Sequence, residues 1–144
     1  MRKTAAVAAG AAFLLSAGTA ASAVAAPPGT PVQITAHTAF EGPSVFEASG
    51  LAGCETGTVV DGDNSMAHFT PWGGAFMGDK EFACDGDLAG FTVRLKARFG
   101  EGGSTGTWTI LGGWGELDGV KGSGSLVGLP TDAGIDDVYT GTVR

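Results

Sequence analysis

Strict alternation of apolar and polar side chains marks the clearest element of this chain, residues 91–99. The apolar positions are Phe91, Val93, Leu95, Ala97 and Phe99, and the positions between them are Thr92, Arg94, Lys96 and Arg98. Successive side chains of a β-strand point to opposite faces, so this pattern predicts a strand with one buried and one exposed face. We expect the three cations to lie outside the core and to pair with acidic neighbours.

The C-terminal residues 106–144 are short apolar or Thr-rich runs separated by glycines and an Asp-Gly turn. Glycine at this density cannot hold a helix, so these runs are predicted to form hairpins. Residues 32–40 and 45–49 read as further strands, separated by a Gly-Pro break. The whole pattern predicts about seven or eight strands with frequent turns, which is typical of an all-β barrel or sandwich.

Residues 64–80 interrupt this regularity. They combine large apolar side chains with Pro71 and several glycines; the large side chains are Met66, His68, Phe69, Trp72, Phe76 and Met77. We expect an irregular loop here, and one with too much apolar surface to remain free in water. The loop is therefore predicted to cover a barrel opening or a sheet edge.

The N-terminus has the features of a secretory signal peptide. Arg2 and Lys3 precede an apolar run over residues 5–15, and small neutral residues follow. Cleavage fits after Ala23 or Ala25, and we favour Ala25, which assigns residues 1–25 to the signal peptide. Residues 26–31, which contain three prolines, are predicted to be a flexible leader, and residues 32–144 a single barrel domain. The protein is expected to be secreted and extracellular.

The net charge of the chain narrows the classes of partner that the protein is expected to bind. Without Arg2 and Lys3 the chain has six basic and fifteen acidic residues, a net charge of −9. Such a chain repels phosphate backbones and anionic lipid surfaces. We therefore expect neither nucleic acid nor a membrane as a partner, while the oligomeric state is left open by the sequence.

The chain contains two cysteines, Cys54 and Cys84. In a secreted protein such a pair is expected to form a disulfide, and the spacing is far from that of a redox-active pair. Closing a loop of this length should limit the unfolded ensemble by roughly 3 to 4 kcal/mol.

Catalytic and metal motifs fail on inspection. Residues 102–106 match the G-x-S-x-G pattern around Ser104, but the segment leads into a strand, and both His37 and His68 precede the serine. The acidic segment beginning at Asp61 lacks the glycine and the final glutamate of a calcium loop. No metal or cofactor is predicted, and no catalytic residue is assigned.

Aromatic and acidic side chains supply the remaining candidates for a site. The candidate ligand-binding residues are Trp72, Trp114, Tyr139 and His68. Aromatic rings of this kind either fill the core or form a stacking platform, and Trp114, between two glycines, is the tryptophan most expected near a surface or cavity mouth. The carboxylates on or beside strands are better acid/base candidates than the turn aspartates; they are Glu47, Glu55, Glu116 and Asp137.

Residues 108–124, WTILGGWGELDGVKGSG, resemble the signature of allene-oxide-cyclase-like and dirigent-like barrels, and in particular secreted actinobacterial proteins of this type. The resemblance implies an eight-stranded antiparallel barrel, broadly calycin-like, with a partly apolar central cavity. Trp114 departs from the small residue usual at its position, and no catalytic residue of those families can be placed on this chain. Closure into a barrel would also remove exposed strand edges.

Three functions follow as hypotheses. The leading one is a non-enzymatic barrel that binds a small apolar ligand, or a partner at its rim. The second is a cofactor-free cyclase or isomerase that acts by shape and a few polar groups. The third is a carbohydrate-binding module that uses exposed tryptophans. Buried ionisable groups in the interior would favour an enzyme, an open apolar interior a carrier, and a filled interior surface interaction alone.

Overall fold

The computed structural model describes residues 28–144, and the predicted signal peptide lies outside the described residues. This part of the chain contains nine strands and one 3₁₀ turn. The strands are β1 (Thr30–Ala39), β2 (Val45–Ser49), β3 (Thr56–Asp61), β4 (Met66–Thr70), β5 (Gly73–Cys84), β6 (Gly90–Gly100), β7 (Gly103–Trp114), β8 (Gly122–Pro130) and β9 (Gly134–Val143), with the 3₁₀ turn at Gly115–Leu117.

Eight of these strands close into an antiparallel barrel. Neighbours follow the order β1, β2, β3, β5, β6, β7, β8, β9, and β9 returns to β1 along all ten residues of both strands. The pairing of β3 with β5 completes the ring. The extra strand β4 pairs with the first half of β5 and lies outside this ring. The predicted all-β barrel of about eight strands is confirmed.

The segment 64–80 is not the irregular loop that its composition predicts. β3 and β4 run one after the other along β5, because Asp61 pairs with Lys80 and Met66 with Met77. Gly74 does not break the strand, since its missing side chain makes room for the ring of Phe99. In this hairpin glycine marks the close approach of an aromatic ring, which the sequence pattern could not distinguish from a break.

The first strand of the barrel begins two residues before residue 32, where the sequence predicts the start of the domain. β1 begins at Thr30, so Thr30 and Pro31 belong to the barrel and pair with Val143 and Thr142. Residues 28 and 29 are the only described residues of the predicted leader that precede the strand.

One half of the barrel interior is filled by aromatic side chains. Phe82 stacks on Phe91 with ring centroids 4.9 Å apart, and it meets Tyr139 and Phe46 edge-on at 5.6 and 5.2 Å. Trp108 is also buried and donates its indole N–H to the carbonyl oxygens of Ser125 in β8 and Thr140 in β9. Edge-on and offset contacts of this kind add to the free energy gained from burying the ring area.

The predicted disulfide between Cys54 and Cys84 is present, with its Cα atoms 5.1 Å apart. It joins the loop before β3 to the last residue of β5, next to the pairing of Gly57 with Cys84. The bond therefore closes the barrel wall at the end that the aromatic side chains fill.

Strand β6 has the two faces that its alternation predicts. Leu95 is buried, while Lys96 and Arg94 are exposed on the outside. The expected pairing of the cations holds for Arg94, which forms an ion pair with Asp79. Among the described residues no carboxylate forms an ion pair with Lys96 or Arg98, because the strands beside this end of β6 present no acidic side chain on that face.

Candidate functional site

The other half of the barrel interior holds a cavity of about 290 Å³. It lies toward the turns that join β4 to β5, β6 to β7 and β8 to β9. Its apolar lining consists of Ala67, Phe69, Phe76, Leu95, Ala97, Phe99, Leu126 and Ile135, and its polar lining of Thr38, Asp61, Lys80, Ser104 and Asp137. The five polar residues come from five different strands, so closure of the barrel is what brings them together.

Lys80 and Asp61 form an ion pair at this cavity. They are direct partners across β5 and β3, and Lys80 Nζ lies 2.7 Å from Asp61 Oδ1. The lysine side chain is 8% exposed and the aspartate side chain 59% exposed. The pair therefore reaches from the interior toward solvent, with its cation on the inner side.

Asp137 is the second carboxylate at the cavity, and it is 9% exposed. Burial raises the pKa of its carboxyl group, and the nearby Lys80 opposes that shift. In the part of the chain that the structure describes, Asp137 forms no ion pair. It is thus a buried carboxyl group whose charge is costly unless something compensates it.

Gly128 makes the space in which Asp137 and Ser104 face each other. It lies between them in the register of β7, β8 and β9. A Cβ atom at this position would fall 2.5 Å from Asp137 Oδ1 and would overlap Ser104 Oγ. Any larger residue would therefore displace the two polar groups from the cavity wall.

Two buried hydroxyl groups at or beside the cavity have no hydrogen-bond partner within the described residues, those of Thr38 and Tyr139. Thr38 lines the cavity, and Tyr139 is the cross-strand partner of Leu126, which also lines it. Burial, followed by the charges of Asp137 and Asp61, raises the pKa of Tyr139 well above its ordinary value. Its hydroxyl group is therefore a permanent hydrogen-bond donor, and buried polar groups without a partner are rare in proteins.

The structure does not bring the four predicted ligand-binding residues together. Tyr139 is buried beside the cavity floor, whereas Trp72 is 91% exposed at the turn between β4 and β5. Trp114 is half-buried at the opposite end of the barrel, where it pairs with Gly90. His68 faces outward and lines a groove of about 630 Å³ on the outer surface of β4 to β7, together with Lys96 and Arg98.

Of the four strand carboxylates singled out from the sequence, only Asp137 lies inside the barrel; Glu47, Glu55 and Glu116 are exposed. Lys80, Asp61 and Ser104 were missed as site residues. The sequence did contain a signal for two of these inward groups. Asp137 is two residues from both Ile135 and Tyr139, and Lys80 is two residues from Phe82, so each charged residue shares a strand face with apolar residues. A charged residue on the apolar face of a strand is the mark of such a group.

Residues 28–144 include no helix long and apolar enough to cross a membrane. In the same described range, no group of three His, Cys, Asp or Glu side chains is placed to hold a metal ion.

No protein-family model matches the chain, and no curated protein or solved structure is significantly similar to it. The likeness to allene-oxide-cyclase-like and dirigent-like proteins therefore rests on residues 108–124 alone.

Proposed function

We propose that this protein binds a small, mainly apolar molecule in the open half of its barrel. The cavity of about 290 Å³ carries this proposal, since eight apolar and five polar residues line it. Ligand sites in proteins combine an apolar lining with a few convergent polar groups in this way. At about 30 Å³ for a water-sized group, the cavity has room for roughly ten non-hydrogen atoms.

The mouth of the cavity also supports binding. Phe69 is exposed and lines the cavity, and its ring meets that of Phe99 edge-on at 5.5 Å. Apolar rings at an opening give an incoming apolar molecule a surface on which to desolvate before it enters.

We further propose that the protein binds its ligand outside the cell. The Cys54–Cys84 disulfide supports an oxidising compartment. Six basic and fifteen acidic residues lie in the described range, and this acidity supports a small-molecule partner in preference to nucleic acid or an anionic membrane.

A cofactor-free isomerase or cyclase is the second candidate. Lys80 and Asp137 are buried ionisable groups that line the cavity, and such groups cluster at catalytic sites. Conversion of the ligand into an isomer of the same mass, detected by NMR, would favour this candidate. Asp137→Asn should then abolish conversion while binding is retained.

The carbohydrate-binding alternative loses its basis, because the three tryptophans do not share a face. Trp72 is on a turn, Trp114 is at the other end of the barrel, and Trp108 is buried in the core.

Calorimetric titration with 1-octanol, which has nine non-hydrogen atoms, tests the binding proposal. Ala67 lines the cavity and is exposed at its rim, so Ala67→Trp should block entry without opening the core. Ala75→Trp is the matched control, since Ala75 is exposed on the outward face of β5 and lines only the outer groove.

We expect binding by the unmodified protein and by Ala75→Trp, and a loss of about tenfold or more in affinity for Ala67→Trp. Equal affinity of both variants would place the bound molecule outside the cavity and contradict the proposal.

A further inference from the structure

The charges at the cavity do not cancel. Lys80 and Asp61 form an ion pair at 2.7 Å, so one positive charge is matched by one negative charge. Asp137 remains as a second carboxylate, buried and without an ion pair in residues 28–144. When Asp137 is ionised the cavity therefore carries a net charge of one negative unit in a place with little water.

We propose that the cavity takes a small organic cation, an apolar body with an amine head group that pairs with the carboxylate of Asp137. This inference rests on the proposed function, because it names the class of ligand for the same cavity. The ammonium group would supply the ion-pair partner that Asp137 lacks among the described residues. Ser104 lies across Gly128 from Asp137, and its hydroxyl oxygen can accept a further hydrogen bond from the ammonium group.

The alternatives fit the charges less well. A carboxylate head group would add a third negative charge beside Asp61 and Asp137, against the single cation of Lys80. A neutral head group would leave the ionised Asp137 buried without an ion-pair partner of its own, and such a group is costly. When Asp137 is ionised, only a cation brings the charge of the occupied cavity to zero.

The surroundings of the cavity also favour cations. With six basic and fifteen acidic residues, the described part of the chain has a net charge of −9, and a field of that sign raises the local concentration of cations. The rings of Phe69 and Phe99 stand at the mouth, where an ammonium group can pass over aromatic faces.

The pH dependence of binding follows from the groups around Asp137. These are Lys80 from β5, Asp61 from β3, and Asp136 and Tyr139 from β9 itself. An alkylamine stays protonated up to a pH of about 10. Amine affinity should therefore rise as pH increases through the ionisation of Asp137, and it should level off above it.

The test is a calorimetric comparison of 1-aminooctane, 1-octanol and octanoate at pH 7 with the unmodified protein. The three probes each contain eight carbon atoms in an unbranched chain and differ in head-group charge. We expect 1-aminooctane to bind about tenfold or more tighter than 1-octanol, and octanoate to bind most weakly. If 1-octanol or octanoate binds as tightly as the amine, the cation inference is overturned while the proposed binding function stands. If none of the three binds, both fail.

Asp137→Asn and Asp136→Asn form a matched pair of variants. They are adjacent residues with the same substitution, but Asp136 faces outward and pairs with His37. We expect Asp137→Asn to weaken amine binding by about tenfold or more and to change 1-octanol binding by less than about twofold. Asp136→Asn leaves the Asp137 carboxylate in place and should change the affinity for either probe by less than about twofold. Equal amine affinity in both variants would overturn the inference.

Should Asp137→Asn fail to fold, the pH series on the unmodified protein decides the question. Amine affinity that is flat or falls as pH rises through the ionisation of Asp137 would overturn the inference, and the predicted rise supports it.

Discussion

Arg94 donates two hydrogen bonds to the carboxylate of Asp79 on the outer face of the barrel, from Nε to Oδ1 at 2.8 Å and from Nη2 to Oδ2 at 2.9 Å. The next residue of β5, Lys80, points inward and pairs with Asp61 at the cavity. Adjacent residues of one strand thus hold two ion pairs on opposite sides of the barrel wall. The alternation of side chains along a strand is the reason that the two pairs stay separate.

The outer pair should matter more for stability than its exposed neighbours do. Arg94→Ala removes the cation from Asp79, which is itself buried, whereas Arg98 has no ion pair in the described range. A buried carboxylate that loses its partner is costly, so Arg94→Ala should lower Tm more than Arg98→Ala at pH 7. Thermal unfolding followed by circular dichroism measures this, and equal Tm values would contradict it.

Asp79 should also contribute to acid sensitivity. Its hydrogen bond from Arg94 lowers the pKa of Asp79 below the ordinary value. The stabilisation is therefore complete above the unfolded pKa of about 3.9 and is lost as pH falls through the lower folded pKa. Asp79→Asn should be less stable than the unmodified protein at pH 7, and the difference should shrink in acid. Urea unfolding at several pH values measures the gap, and a constant gap would contradict this reasoning.

The ionisation of Asp137 should change the stability of the folded state in the opposite direction to that of Asp79. Burial raises the pKa of Asp137, so its ionisation disfavours the folded state. As pH rises from about 3.9 through the higher folded pKa, the unmodified protein should lose stability relative to Asp137→Asn. The same urea series tests this, with Asp136→Asn as the control. A variant that loses rather than gains relative stability over that range would show that the carboxylate is compensated within the protein.

The two faces of β6 can be compared at adjacent positions. Leu95→Ala removes buried apolar contacts and enlarges the cavity that Leu95 lines, so it should lower the free energy of unfolding by about 2 to 5 kcal/mol. Lys96→Ala changes an exposed residue and should alter it by less than about 1 kcal/mol. Chemical denaturation of both variants gives the two values, and the reverse order would mean that the outer face carries the stability.

The disulfide should stabilise the barrel through the unfolded state. The bond links residues 30 positions apart, and the double variant Cys54→Ala/Cys84→Ala should lose about 3 to 4 kcal/mol of unfolding free energy. Reduction of the unmodified protein provides the comparison. Unfolding curves that coincide before and after reduction would show that the barrel closes equally well without the bond.

Local patterns were enough to predict much of the fold. The alternation over residues 91–99 predicted which face of β6 is buried, and the cysteine pair predicted the disulfide. Both signals are local or compositional, because side-chain period and thiol chemistry do not depend on which strands become neighbours. The prediction of a loop over residues 64–80 was wrong because Gly74 leaves room for the ring of Phe99. That contact exists only after β5 pairs with β6.

The candidate site was much less accessible from the sequence. Asp137 and Lys80 each carry a local mark, a charge on the apolar face of a strand, but they are 57 positions apart in the chain. Nothing local says that β3, β5 and β9 place Asp61, Lys80 and Asp137 around one cavity. That convergence requires the register of every strand in the ring, which is set by the β3–β5 closure and by the return of β9 to β1.

By itself, then, the sequence determined an acidic, disulfide-linked, all-β domain and the inward face of its clearest strand. The tertiary structure alone decided which half of the barrel is filled and which is open. Aromatic side chains crowd one end because Phe46, Phe82 and Phe91 meet there across three strands. At the other end Ala97 and Ser104 have small side chains and Gly128 has none, so a cavity remains, and the buried carboxyl group of Asp137 lines it.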